Sequence, residues 1–452
     1  MKKSLSSISS RLHIISLGCS KNLVDSEVMG GQACASGMTI VESPYDADVV
    51  IVNTCGFIQP AKEEALEVIL ALVEEKKKPG RNLKLVVAGC LAQRYGEELL
   101  AEIPEIDLYV GTGEVGRIAK HLQNLNKTKP RRAAVVSKPD FLMTAQHERL
   151  LSSTSATAYL KISDGCSNCC TYCAIPSIRG SARSRQPDDI LWEAQKLAAK
   201  GIKEIILIGQ DTTVYGRDLK NHPKLSDLLS ALASFSGVRW LRLLYTHPAH
   251  ITTDILEVMA DHEKICRYID LPIQHIDDTL LTAMNRKVSA ARICEIISQA
   301  RNILPDLALR TSIIVGFPGE TSKRFESLLN FVRETQFDHL GVFTYSREEG
   351  TAAAKMPSRI SETEKERRRD SIMSEQADIS HAINRKLIGS IQEVLIEEKS
   401  DREGYAFVGR CRRQVPEIDG VTYLKGGNAK IGDFINCLIT SADHYDLFGK
   451  II

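Results

Sequence analysis

The chain has 452 residues, 43% hydrophobic and 25% charged, with 58 basic against 57 acidic side chains and a net charge of +1. That balance fits about three globular domains and removes any global electrostatic case for nucleic-acid binding, leaving only a local patch. The 12 cysteines come without a secretory signal, which points to a reducing cytoplasm and to metal or redox use, and no apolar run approaches the roughly 20 residues that span a bilayer.

The opening MKKSLSSISS is basic and serine-rich without an apolar centre, and reads as a short disordered lead. Residues 11–125 form the first predicted domain. HIISL, DVVIVN, KLVVAG and DLYVG read as strands separated by helical segments, a βαβ pattern that implies a parallel sheet. Cys19 in LGCSKNLVDSE, Cys55 in VNTCGF and Cys90 in AGCLAQRY stand at the ends of three of these strands, each beside a glycine (Gly18, Gly56, Gly89). Any one of them alone would pass for a small buried hydrophobe, as Cys34, Cys266, Cys294, Cys411 and Cys437 do. Three at equivalent strand ends should converge on the carboxyl edge of the sheet, where ligands bind, and suggest three thiolate ligands to an iron–sulfur cluster. GTGEVG (Gly111, Gly113, Gly116) matches GxGxxG, but it follows the fourth strand and opens no βαβ unit, so a glycine-rich turn into a helix is the better account.

Residues 126–155, with KTKPRR and SSTSAT, read as a linker. In the predicted second domain, 156–385, AYLKI, EIILIG, RWLRLLY, YIDLPI, LRTSIIVGF and HLGVFTYS are six strands alternating with helices. They suggest a partial (β/α)6 barrel with its chemistry at the carboxyl ends. After the first strand comes GCSNCCTYC, in which Cys166, Cys170 and Cys173 have the spacing CxxxCxxC. Three thiolates on one loop can hold three irons of a 4Fe–4S cube and leave the fourth open. Zinc is the alternative, since Cys169 creates two abutting CxxC pairs, but pairs without a spacer wrap one tetrahedral ion poorly. A disulfide fits less well still. The segment from Ser361 to Lys386 reads as a charged bracing helix, with Arg367 to Arg369 on a solvated face. Residues 386–452 read as a small β barrel of a kind related to nucleic-acid-binding folds. Its part from 387 to 452 carries 8 Lys and Arg against 10 Asp and Glu, so direct nucleic-acid binding is not expected and a basic protein partner is.

The cysteine loop resembles that of the radical SAM superfamily, and the order of the three domains resembles the methylthiotransferases: an N-terminal cysteine domain, a radical SAM barrel and a C-terminal TRAM barrel. Of two branches, one is MiaB-like and methylthiolates a tRNA adenosine; the other modifies an aspartate of small-subunit ribosomal protein twelve. LGCSKNLVDSE (Lys21, Asn22, Asp25), GQDTTVYG, LPIQHIDDTLL, FTYSREEGT and PEIDGVTYL are similar to segments of the second branch. Ser20 stands where proline is common, and Cys169 where the family needs no cysteine. The resemblance implies two 4Fe–4S clusters, one on Cys166, Cys170 and Cys173 that cleaves S-adenosylmethionine to a 5′-deoxyadenosyl radical, and an auxiliary one on Cys19, Cys55 and Cys90 that presents sulfur. It further implies cofactor contacts from Gly209, Gln210, Gln274, His275, Arg310, Ser312 and Gly316, with Arg310 facing the cofactor carboxylate and His275 equally open to a structural role. No side-chain acid or base is implied. The implied partners are ribosomal protein twelve as substrate and an electron donor such as flavodoxin, in the cytoplasm and away from any membrane.

Overall fold

A computed structural model describes residues 10–125, 133–152, 156–357 and 360–452; the expected disordered lead (up to residue 9) and the KTKPRR stretch lie outside them. The chain divides into two units. The first is Met1–Ser152 with Ser163–Ser167 and Cys173–Arg185, and the second is the remainder.

In the first unit six strands form one sheet, in the order Thr39–Ile40, Arg11–Ser16, Val49–Thr54, Lys84–Gly89, Leu108–Val110 and Ala133–Val135, and every ladder is parallel. The central VVIVNT strand is buried at all six positions, as a strand covered on both faces requires. The helix Gln59–Lys76 buries Ala65, Ile69, Leu72 and Val73, the i, i+4, i+7, i+8 stripe of an amphipathic helix. GTGEVG forms a 3-10 turn, Thr112–Arg117, leading into the helix Ile118–Leu125; contrary to expectation it does open a βαβ unit, because the short strand Ala133–Val135 pairs parallel with Leu108–Val110.

The four expected strands are present, and two short edge strands were missed. One of these, Ala133–Val135, falls inside the segment expected to be a linker. With only three half-buried residues it has no periodicity to detect. The chain after it is also anchored: buried Arg149 pairs with buried Glu27 at 2.5 Å, and the Leu150 amide donates to the Glu27 carbonyl.

The second unit contains the six expected barrel strands, all parallel. Thr157–Lys161, Glu204–Ile208 and Trp240–Leu243 form one sheet, and Tyr268–Asp270, Ala308–Val315 and His339–Thr344 another. A single parallel bridge, Leu241 to Ile265, lies between them. The helix Glu362–Arg385 opens with Ser361 Oγ accepting from the Glu364 amide at 3.2 Å, an N-cap bond. Its buried side ties to the last barrel strand through Gln376 to Phe337 O and Ser380 to Asp338 O, and its end reaches His444 O through Asn384. It is the expected brace, with one correction. Arg367 and Arg369 are exposed, but Arg368 is buried and bound to Glu320 at 2.8 Å, because the helical repeat turns only one of three consecutive arginines inward.

The last five strands, Ile391–Lys399, Phe407–Cys411, Thr422–Lys425, Phe434–Ala442 and Leu447–Ile451, close into a barrel. Cys411 and Cys437 lie in its core with Val394, Ile396, Leu424, Ile439 and Leu447; of the five cysteines expected to be buried hydrophobes, Cys266 is also buried, but Cys34 and Cys294 are exposed. This barrel contacts the beginnings of the six parallel strands. Trp240 donates to Glu393, Tyr268 to Asp419, and His339 meets Arg413 O. At the centre of the contact the fully buried Glu204 carboxylate accepts from Arg242 (3.1 Å), Arg410 (2.6 Å) and Thr157 (2.9 Å). Burial works against its ionisation, yet Arg410 and Arg242 together hold Glu204 down at about 2. Stability from this group is therefore complete above the ordinary carboxyl range and is lost as pH falls from about 4.5 toward 2. Glu204→Gln leaves two buried cations short of an anion and is expected to destabilise the second unit by about 3–5 kcal/mol. Urea unfolding of the apo chain at pH 7 and pH 3 checks this; equal midpoints for variant and wild type at pH 7 would refute it.

Candidate functional site

In the first unit, Cys19, Cys55 and Cys90 each follow a parallel strand at its carboxyl end. The chain must turn there within one or two residues, and Gly18 (φ +89°) and Gly89 (φ +94°) adopt the left-handed backbone that permits it. A Cβ on Gly18 would stand 2.6 Å from Cys55 Cβ, so the Cys55 side chain is seated directly on the Cys19 turn. Cys19 is the N-cap of the helix Ser20–Ala35 and Cys90 opens the helix Cys90–Glu102. Two helix amino ends therefore face the cysteines, an environment that favours anionic sulfur.

Asn22, fully buried, ties the three turns together. Its Nδ2 donates to Leu17 O (3.1 Å) and Thr54 O (3.0 Å), and its Oδ1 accepts from the Cys90 thiol at 3.6 Å. Arg179 reaches the same point from the helix Ile175–Arg179. Its Nη2 donates to Asn22 Oδ1 at 2.6 Å and to Cys90 Sγ at 3.6 Å, while Nη1 pairs with Asp25 (2.9 Å) and Asp164 (3.3 Å). The three thiols titrate apart. Burial opposes ionisation of Cys19, but Lys21 and Arg179 lower it. Burial, with Cys90 and Cys19 nearby, pushes Cys55 up to about 12. Burial also raises Cys90 against the pull of Arg179. All three are free cysteines, and a trio of sulfurs with a cation and two helix amino ends suits a cluster of net negative charge.

The CxxxCxxC loop is divided between the units. Cys166 and Cys173 belong to the first, together with Cys19, Cys55 and Cys90. The Cys166 amide donates to Gly180 O at 2.9 Å, and Ala174, next to Cys173, packs with Cys90 and Ile178 in a small apolar cluster. The segment after the second cysteine loop, far from Cys90 in sequence, thus packs against it within one unit. Cys170 belongs to the second unit, where Arg286 Nη1 donates to its Sγ at 3.7 Å. The backbone beside it is pinned: Asn285 donates to Cys169 O (2.7 Å), the Thr171 amide to Met284 O (3.1 Å) and the Thr171 hydroxyl to Ala283 O (2.8 Å). The Cys169 side chain is exposed.

The expected cofactor contacts in the second unit fall into two groups. Gly209 and Gln210 follow the Glu204–Ile208 strand, Gln274 follows Tyr268–Asp270 in a left-handed conformation (φ +68°), and Gly316 follows Ala308–Val315. All four lie at carboxyl ends. His275 is fully buried, accepting from the Asp277 amide at Nδ1 and facing Glu320 through Nε2, so both ring nitrogens are engaged in holding the fold. Arg310 stands third in its eight-residue strand, and Asp270 (3.1 Å) and Asp419 (3.6 Å) supply its counter-charge where a cofactor carboxylate was expected. Ser312 Oγ accepts from the same guanidinium at 3.3 Å.

Arg179, Arg286 and a polar cluster at the carboxyl ends were not anticipated. In the cluster, Asp211 accepts from Asn168 (2.7 Å) and Thr213 (3.0 Å) and meets His250 Nδ1 at 2.8 Å, and the His247 and His250 rings stack at 4.8 Å. Burial and the charge of Arg286 hold His247 down at about 3, so it stays neutral. The only signal in the sequence was position, since Asp211 directly follows Gly209 and Gln210.

Three family profiles match the chain: Uncharacterized protein family UPF0004 over residues 11–111, the Radical SAM superfamily over 160–332 and the TRAM domain over 388–452. Among relatives, the ribosomal protein uS12 methylthiotransferase RimO of Syntrophus aciditrophicus is 52% identical over 98% of both chains. The protein of the same name from Geobacter sulfurreducens is 47% identical over 99% of this chain and 100% of its own. Among solved structures, the radical S-adenosylmethionine methyltransferase TsrM from Kitasatospora setae superposes with a TM-score of 0.57 at 13% identity, covering 85% of this chain and 77% of that one. That likeness concerns the fold alone.

Proposed function

This chain belongs to the RimO family of ribosomal protein uS12 methylthiotransferases, and from that premise we infer that it adds a methylthio group to the β-carbon of an aspartate in uS12. Its cofactors are two 4Fe–4S clusters and S-adenosylmethionine. Cys166, Cys170 and Cys173 would hold the cluster at which S-adenosylmethionine binds, and Cys19, Cys55 and Cys90 the auxiliary cluster. When bound, these groups supply one-electron cleavage, sulfur and a methyl group, chemistry that no side-chain base can perform on an unactivated C–H bond.

The chain's own residues bind, orient and exclude water. Lys21, Arg179 and a helix amino end favour the thiolate of Cys19. Burial raises the Cys55 and Cys90 thiols above their ordinary range, so their binding a cluster would release protons. Ala174 and Ile178 cover the buried side of Cys90 and keep water from it. Gly209, Gln210, Gln274 and Gly316 at the carboxyl ends are the proposed contacts to S-adenosylmethionine, and His275, Arg310 and Ser312 are support. A low-potential carrier such as flavodoxin would deliver electrons. None of the helices in the described residues is long and apolar enough to cross a membrane, and a cytoplasmic site of action suits reduced cysteines and a ribosomal substrate.

The observation that supports this proposal is the gathering of Cys19, Cys55 and Cys90 around Asn22, Arg179 and Gly18, with Ala174 of the second cysteine loop against Cys90, in a chain with RimO relatives over 98% of its length. The anaerobically reconstituted protein, given a reductant and S-adenosylmethionine, is expected to add one methylthio group to uS12 and nothing to tRNA, read by mass spectrometry. A gain on tRNA adenosine alone would replace this proposal with the MiaB-like one.

A further inference from the structure

The buried Arg179 has contacts that reach further than its own helix requires, and the inference drawn from them rests on the proposal that Cys19, Cys55 and Cys90 hold a cluster. We propose that Arg179 is a positioning residue for that auxiliary cluster, holding the three cysteine turns in register and favouring the cluster's reduced state.

One guanidinium touches the support of all three ligands. It donates to Cys90 Sγ directly. Through Asn22 Oδ1 it fixes the amide that donates to Leu17 O, two residues before Cys19, and to Thr54 O, one residue before Cys55. Asp25 and Asp164 hold its other nitrogen. Asp164 lies two residues before Cys166, and Arg179 six residues after Cys173. The contact therefore also ties the auxiliary pocket to both flanks of the second cysteine loop inside the first unit.

The electrostatic consequence follows from the charge count. A 4Fe–4S core held by three thiolates carries a net charge of about −1, and about −2 after taking up one electron. In a buried pocket the added charge is penalised, and a fixed cation with an N–H···S bond offsets that penalty. Asp25, 2.9 Å from the guanidinium on the opposite side, acts in the reverse sense. Neutralising Arg179 and neutralising Asp25 should therefore move the potential in opposite directions.

The test uses the full chain carrying Cys166→Ala, Cys170→Ala and Cys173→Ala, reconstituted anaerobically with iron and sulfide so that only the auxiliary cluster forms. Dithionite reduces it in a potentiometric titration followed by EPR. Arg179→Met is expected to lower the ratio of reduced to oxidised cluster at a fixed potential at least tenfold, a shift of about 59 mV for one electron. Arg179→Lys should restore most of that loss, and Asp25→Asn should raise the ratio. Unchanged midpoints in both Arg179→Met and Asp25→Asn, at full iron content, would overturn the inference while leaving the cluster proposal standing. If Arg179→Met takes up no iron, the direction of the Asp25→Asn shift decides: upward supports the inference, no shift or a downward one sinks it. A parent triple variant without iron would remove the auxiliary cluster and this inference together.

Discussion

Cys170→Ala is expected to eliminate cleavage of S-adenosylmethionine and to lower bound iron from about eight to about four atoms per chain, the loss of one of two four-iron cubes. Two remaining thiolates on the loop are too few to hold three irons. The variant also removes the sulfur that accepts from the buried Arg286, and a buried donor left without its acceptor is costly. The neighbouring Cys169 is the one residue that could rescue the cluster, and the backbone argues against it. Asn285 holds the Cys169 carbonyl, Met284 and Ala283 hold Thr171, and the Cys169 side chain points to the surface. To bring Cys169 inward, three hydrogen bonds must break, each worth about 1 kcal/mol net. Quantifying 5′-deoxyadenosine after reduction checks the expectation. Cleavage at wild-type level in Cys170→Ala would mean that Cys169 replaces it, and Cys169→Ser, otherwise expected to be silent, would then abolish the remainder.

Cys55→Ala should separate the two halves of the reaction. Methylthio product on uS12 is expected to disappear, while S-adenosylmethionine is still cleaved, because Cys166, Cys170 and Cys173 are untouched. Iron should again fall to about four per chain. The site explains why no other residue compensates. Cys55 is seated on the Gly18 turn with its Cβ where a Gly18 side chain would stand, and Cys34, the remaining cysteine of the first unit, is exposed near the far end of the helix Ser20–Ala35. The alanine removes a sulfur without adding bulk, so the parallel sheet should keep its stability. Full methylthio product from this variant would eliminate the auxiliary-cluster proposal.

How far the sequence could be read depended on how local each signal was. CxxxCxxC is visible because its ligands lie within eight residues. The six barrel strands are visible because each lies in a short run rich in apolar residues, EIILI being buried throughout, and helical segments separate the runs. Ala133–Val135 escaped because three half-buried residues at a sheet edge leave no period. Arg310 was assigned to a cofactor because an arginine in a barrel strand needs an anion, and nothing near it in sequence revealed that Asp419, 109 positions on, would be that anion. Arg368 looked like one of three equivalent surface arginines until the helix phase turned it onto Glu320.

The sequence by itself determined the three-part architecture and the chemistry it implies, and it singled out the two cysteine trios proposed as ligands, since each depends on residue type at short spacing or at successive strand ends. The tertiary structure alone decided that the flanks of the second loop join the first unit, that Ala174 meets Cys90, and that Arg179 and Asn22 knit the cysteine turns together. Those are contacts between residues up to 157 positions apart. They exist only once the strands are laid in register and the chain between them is folded away, and no periodicity along the chain encodes which side chain will be waiting on the other side.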